Sequence, residues 1–263
     1  MNIHPLKYNA TNLGKLPLFR VAVLAISSIF ASMVSSQGQV IVSDDFEKAA
    51  ESQNTSTIES KTFWETSDNR SLLGTVTDPT GLNSGKVLSV GNGLAFARIP
   101  ETALEVGSSI VFSMRFRSRD EEILYPAPLR IGICENKDDS PDKGDTAGYW
   151  LSTGPGADRK SSISLELNSD SAIGGGNDGV GIGGAFVPGY DWLKPHRLVI
   201  KVMRPTEAAI EIHLQFDDDA EIVRTDSKSS VTKFNLIAMR VANTPKSCVL
   251  FDDIKVELVK TPK

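Results

Sequence analysis

Polar and apolar residues alternate with a period of two along most of the chain after residue 40. In "VFSMRFRSR" (111–119), Phe112, Met114 and Phe116 alternate with Ser113, Arg115 and Arg117. In "SISLELNS" (162–169), Ile163, Leu165 and Leu167 alternate with Ser164, Glu166 and Asn168. Successive side chains of a strand point to opposite faces, so each stretch predicts a strand with one buried face. "HRLVIKVMR" (196–204) and "KFNLIAMRVA" (233–242) are further strands by the same rule. "AIEIHLQFDDDAEIVRT" (209–225) predicts a hairpin turning at "DDDA". About a dozen strands are expected in all, with at most one helical turn in "DDFEKAAESQ" (44–53). Half-polar strands joined by turn-rich segments predict antiparallel sheets packed face to face, an all-β two-sheet sandwich over residues 39–259.

The first 36 residues break this pattern. Lys7, Lys15 and Arg20 precede the apolar run "VAVLAISSIFASMV" (21–34), and small residues follow. A basic lead, a short apolar run and small residues describe a signal peptide over 1–36. Export to the periplasm, the cell surface or the medium is expected, with no membrane span left after cleavage. Removing 36 of the 263 residues leaves 227 and strips three cations, moving the net charge from −5 to −8. That balance disfavours nucleic acid as a partner. The two cysteines, Cys134 and Cys248, are read either as a pair or as two buried thiols.

One strand carries an anomaly. In "LFDDIKVEL" (250–258), Asp252 falls on the face of Leu250, Ile254, Val256 and Leu258. A carboxylate aimed at a core needs compensation, from hydrogen bonds, from a bulge that turns it outward, or from a cation.

The layout resembles the concanavalin A-like, laminin-G-like jelly-roll superfamily of exported bacterial proteins. "VIVSDDFE" (40–47), "GYDWLKPHRLVIKV" (189–202) and "VLFDDIKVEL" (249–258) carry the likeness. It implies neighbouring first and last strands whose acidic residues help to hold a structural Ca²⁺. Asp45, Glu47 and Asp252 are the residues it selects. A second acidic cluster, Asp138, Asp139, Asp142 and Asp145, lacks the register of a calcium loop and reads as solvated.

The resemblance also brings hydrolases and lyases acting on polysaccharides. The hydrolases place paired carboxylates on one strand, spaced as E-x-D-x-x-E. Here "LELNSD" (165–170) offers Glu166 with Asn168 beside it, which removes a charge from that set. The lyases use a Q-I-H strand with Arg and Tyr. "EIHLQ" (211–215) gives Glu211 and His213, with a Glu that would repel a uronate. No G-x-S-x-G motif occurs, and "GVGIGG" (179–184) lacks the strand–turn–helix context of a dinucleotide loop. Recognition of a polysaccharide or cell-surface glycan without catalysis is the leading expectation. A polysaccharide-active enzyme and a structural envelope protein are the alternatives. Sugar rings stack on aromatic faces, so "GYW" (148–150) and "FVPGYDW" (186–192) nominate Tyr149, Trp150, Tyr190 and Trp192. The tyrosines are the better contacts if the tryptophans plug the core.

Overall fold

In the computed structural model, residues 38–66, 72–78, 82, 85–119, 129–137, 146–155, 161–169, 180–185, 193–228, 230–241 and 248–260 are described. They form two antiparallel sheets. The first follows the order β15 (Ile222–Asp226), β14 (Ala209–Phe216), β13 (His196–Thr206), β8 (Ser108–Ser118), β17 (Cys248–Lys260), β6 (Lys86–Gly91), β5 (Leu72–Thr77) and β2 (Ser52–Thr55). β1 (Gln39–Asp44) also pairs with β17, along its C-terminal half. The second sheet follows the order β12 (Val180–Ala185), β11 (Ser161–Ser169), β10 (Thr146–Pro155), β9 (Leu129–Asn136), β16 (Lys233–Val241), β7 (Gly93–Ala103), β4 (Phe63–Thr66) and β3 (Thr57–Glu59). The strands expected at 111–119, 162–169, 196–204 and 233–242 are β8, β11, β13 and β16, and the 209–225 hairpin is β14–β15. "GVGIGG" contributes to strand β12, and residues 44–53 contain no helical turn. Among the described residues, no helix is long and apolar enough to cross a membrane.

The alternation explains the layers. On the first sheet Phe112 lies opposite Ile200 on β13 and Val256 on β17, and all three are buried. Ala97, Ile131, Ile237 and Tyr149 face them from the second sheet in the same continuous core. Burying one such large apolar side chain contributes about 1.5–3 kcal/mol. Phe116 anchors an aromatic group, with Phe216 at 6.0 Å, His196 at 5.9 Å and Phe251 at 6.2 Å between ring centres.

β17 departs from simple alternation. Asp252 is opposite Arg115, and the next paired residue, Lys255, is opposite Ser113, so one extra residue is inserted. Asp253 takes the left-handed conformation at this bulge, with φ 50°. Its N–H donates to Oδ1 of Asp252 at 2.8 Å. The bulge resets the side-chain parity. Phe251, Ile254 and Val256 enter the main core, whereas Leu250 joins a small outer cluster with Leu82 and Val87.

The two cysteines are free thiols: Cys134 is buried on the second sheet, and half-buried Cys248 meets Ser89 Oγ at 2.9 Å on the first. Burial pushes the Cys134 thiol well up.

Candidate functional site

The first candidate locus joins the start of the chain's fold to its last strand. Directly opposed residues share a face, so Asp252 lies on the outer face with Arg115, not on the core face expected from its neighbours. It is nonetheless fully buried. One oxygen takes the Asp253 N–H, and the other, Oδ2, is buried with no hydrogen bond. Burial pushes its carboxyl up to about 7; the Asp253 N–H opposes this, Asp253 and Glu47 reinforce it, and Arg115 opposes it. Glu47 comes from the segment after β1, and its Oε1 lies where a Cβ on Gly85 would stand, at 1.6 Å. A side chain at position 85 would therefore displace that carboxylate.

Asp45 does not complete the set. Its Oδ2 pairs with Lys61 Nζ at 2.5 Å, and that hydrogen bond holds its carboxyl below the ordinary range. Its Oδ1 is buried without a hydrogen bond. Among the described residues no group of three or more His, Cys, Asp or Glu side chains is placed to hold a metal ion. Asp252 offers a buried oxygen without a hydrogen bond, and the Glu47 charge reaches it; a hard cation there would need most of its ligands from backbone carbonyls or water.

Asp44, which sequence reading passed over, is the compensated acid of "SDDFE". It is buried and accepts four hydrogen bonds. Phe46 N (3.1 Å) and Ser60 Oγ (2.5 Å) donate to Oδ1, and Thr62 N (3.0 Å) and Trp64 Nε1 (3.1 Å) donate to Oδ2. Alternation along β1 puts Asp44 on the buried face with Val42, a signal present in the sequence.

The second locus is the outer face of the second sheet. Leu94, Phe96, Cys134, Trp150, Leu236 and Ala238 form a separate cluster there, apart from the main core. The register sets Glu65, Phe96, Ala238, Gly132, Trp150 and Glu166 in one row across six strands. The next row reads Leu94, Arg240, Arg130 and Ser152. Arg98 follows on the far side, opposite Leu236. Trp150 lies flat across Gly132: a Cβ there would meet its ring at 2.3 Å.

This face corrects the aromatic expectation. Tyr149, nominated as the better sugar contact, is fully buried in the main core, and its hydroxyl donates to Asp226 Oδ2 at 2.9 Å. Trp150 takes the outer side and is 3% exposed, so it is a floor and not an open platform. The reason is that strand parity assigns adjacent residues to opposite faces, and Gly132 supplies the recess for the indole. Tyr190, Trp192 and the Asp138–Asp145 cluster lie outside the described residues. Glu166 is opposite Trp150 in register; its side chain lies outside the described set.

Glu211 and His213 occupy the outer face of the first sheet. His213 sits between Glu221 Oε2, 3.0 Å from Nδ1, and Glu211 Oε2, 3.4 Å from Nε2. Its opposed neighbours are Lys201 and Val223, not the Arg and Tyr of a lyase site. Arg117 is engaged by Asp78 through two hydrogen bonds at 3.0 and 2.6 Å.

No protein-family model matches the chain, and no curated protein matches it in sequence. Solved structures do match. An endo-1,3-β-glucanase from Streptomyces sioyaensis is 12% identical, with a TM-score of 0.50 over 86% of this chain and 98% of that one. The Emp47p carbohydrate recognition domain is 11% identical, with a TM-score of 0.49 over 87% and 99%. Peanut lectin is 11% identical, with a TM-score of 0.47 over 73% and 92%. The likeness is one of fold: the chain is a concanavalin A-like jelly roll.

Proposed function

We propose that this is an exported glycan-recognition protein without catalytic activity. The working unit is the sandwich of residues 39–259, freed of a signal peptide at 1–36. The observation that carries the reading is the outer face of the second sheet. It sets Arg98, Arg130 and Arg240 around the Trp150 floor, while its described carboxylates, Glu59, Glu65 and Glu101, lie on β3, on β4 and toward the end of β7. Guanidinium forks donate paired hydrogen bonds to sugar oxygens. Glycosidic hydrolysis asks for two carboxylates about 5–9.5 Å apart, and the outward positions of β9 are Arg130, Gly132 and Cys134. A structural Ca²⁺ on Glu47 and Asp252 would tie the first strand's exit to the last strand, away from this face. The second reading, a polysaccharide-active enzyme, draws on the glucanase fold and on Glu166 opposite Trp150.

The test is a glycan-array screen of the purified protein with calcium and with chelator, assaying the same wells for new reducing ends and unsaturated product. Binding without product is the expected result. Product in any well overturns the non-catalytic reading and moves attention to Glu166, Glu211 and His213. Silence in every well leaves the structural reading ahead.

A further inference from the structure

We infer that a cleft at the edge of the first sheet is a second saccharide site, taking a neutral sugar unit through adjacent hydroxyls. This rests on the glycan-recognition reading above and adds a contact on the other sheet. The cleft has a volume of about 520 Å³, within the range of ~300–1,000 Å³ usual for small-molecule sites. Its walls come from β2, the last strand of that sheet, and from β5 beside it, with Glu51 just before β2. Arg119, just past the end of β8, lines it as well, and its backbone N–H donates to Cys248 O at 3.0 Å. Among the described residues of the lining, Val76 is the only apolar one, so an apolar ligand would find little surface to bury against. Glu51, Gln53 and Arg119 are exposed, which leaves the cleft open along its length to a glycan chain.

The hydroxyls of the cleft already have their protons committed. Thr75 Oγ1 donates to Ala50 O at 2.5 Å. A hydroxyl has one proton and two acceptor lone pairs, so in the 3.3 Å contact between Ser52 Oγ and Thr75 Oγ1 it is Ser52 that donates. Thr77 in turn donates to Oε1 of Glu51. Ser52, Thr77 and the Glu51 carboxylate therefore offer acceptors alone, while the Arg119 guanidinium and the Gln53 amide offer donors. A hydroxyl can donate to the first set and accept from the second, and two adjacent ring hydroxyls can do both at once. Hydrogen bonds to the ionised partners, Glu51 and Arg119, are the stronger ones. A carboxylate or sulfate brings acceptors alone and would leave the acceptor wall unmet; an ammonium group would leave the donors unmet. Lys86, opposite Thr77, gives Nζ to Ala49 O at 2.6 Å, and the nearby Asp78 and Arg117 pair with each other. Asp120, Glu121 and Glu122 follow Arg119 in sequence. Selection of a hydroxyl by matched donors and acceptors does not depend on the net charge around the cleft.

The experiment is calorimetric titration of the full protein with laminarin, neutral dextran and polygalacturonate. At least one neutral polymer is expected to bind, with an affinity that changes little as salt rises from about 50 to 300 mM. Glu51→Gln and Arg119→Gln are each expected to lose about tenfold in affinity for it, while Lys201→Gln, elsewhere on the same sheet, keeps it. Both side chains are exposed, so the melting temperatures of the two variants should stay near the parent's. Gln53→Ala, at a third exposed position of the lining, gives the same readout should either variant lose its fold. Neutral binding untouched by all three substitutions overturns the placement and leaves glycan recognition standing. Binding of polygalacturonate alone overturns the hydroxyl selection and also leaves glycan recognition standing. Binding to no glycan overturns both.

Discussion

The hydroxyl of Tyr149 on the second sheet donates to the carboxylate of Asp226 on the first, 2.9 Å away inside the core. Asp226 also accepts from Lys228 N at 3.0 Å and Ser230 N at 2.8 Å. Burial opposes ionisation of Asp226, and the donors from Ser230, Lys228 and Tyr149 together outweigh it, leaving the carboxyl below its ordinary value. Burial, then the Asp226 charge, pushes the Tyr149 hydroxyl upward, so it stays a donor. A group with a depressed folded pKa stabilises the fold above its unfolded pKa of about 3.9, and that stability is lost as pH falls through the folded value. Asp226→Asn should therefore flatten the fall in melting temperature below about pH 4. Tyr149→Phe, which leaves the two backbone donors in place, should cost about 1–2 kcal/mol near neutrality. Thermal melts of both variants across pH check the two outcomes.

Asp44 closes the end of β1 onto the β3–β4 hairpin through three donors of that hairpin, Ser60, Thr62 and Trp64, with Phe46 N as a fourth from its own segment. Replacing it with Ala leaves those donors without their acceptor. Asp44→Ala should cost about 3 kcal/mol or more and should change the near-ultraviolet signal of Trp64, whose indole N–H loses its partner. Asp45→Ala, next in sequence, removes only the half-exposed pair with Lys61 and should cost under about 1 kcal/mol. Urea unfolding of the two variants side by side tests the contrast. Equal losses would mean that Asp44 is not the anchor.

The alternation was enough to place β8, β11, β13, β14 and β16, because a half-buried strand writes its two faces directly into the residue order. It failed where geometry inserts a residue. The bulge at Asp253 reverses parity in β17, so Leu250 and Phe251 exchange faces relative to the simple pattern. The sequence also favours Tyr149 as the outward aromatic and Trp150 as the inward one, the reverse of the structure, since adjacent aromatics fit either assignment until the recess at Gly132 is known. The arginine pair was illegible for a different reason. Arg130 and Arg240 are 110 residues apart, and only the register of β9 against β16 makes them neighbours. Asp44 was legible from Val42 and was overlooked in favour of Asp45.

Asp252 gives the calcium proposal a variant with two opposite signs. Its Oδ2 is buried without a hydrogen bond, so an ionised carboxylate is costly there without a cation. Asp252→Asn should leave the chelator-treated protein at least as stable as the parent. The same variant should lose the gain from calcium, which at a hundredfold excess over Kd is about 2.7 kcal/mol, or roughly 5–10 °C for a domain of this size. Gly85→Ala should reduce the calcium gain as well, because its Cβ takes the place of the Glu47 carboxylate. Melting curves with calcium and with chelator decide it. A calcium gain that survives Asp252→Asn places the cation elsewhere.

Gly132 tests whether the Trp150 floor belongs to the binding face. A Cβ at 132 would stand 2.3 Å from Cδ2 and 2.4 Å from Cε3 of the indole, well inside contact distance, so the ring must lift from the sheet. Overpacking of this kind costs about 1–3 kcal/mol. The main core is on the opposite face of the strand, with Ile131 and Ile133 pointing into it, so the fold should persist. Gly132→Ala should thus lower the melting temperature, shift the tryptophan emission as the indole moves, and weaken glycan binding, because the orphan Nε1 and the neighbouring Arg130 are displaced together. Trp150→Phe removes the N–H without raising the floor, and it should weaken binding with little change in emission from the remaining tryptophans. If Gly132→Ala lowers stability and shifts emission while binding is unchanged in both variants, the outer apolar cluster is a packing feature and the glycan contacts lie away from it.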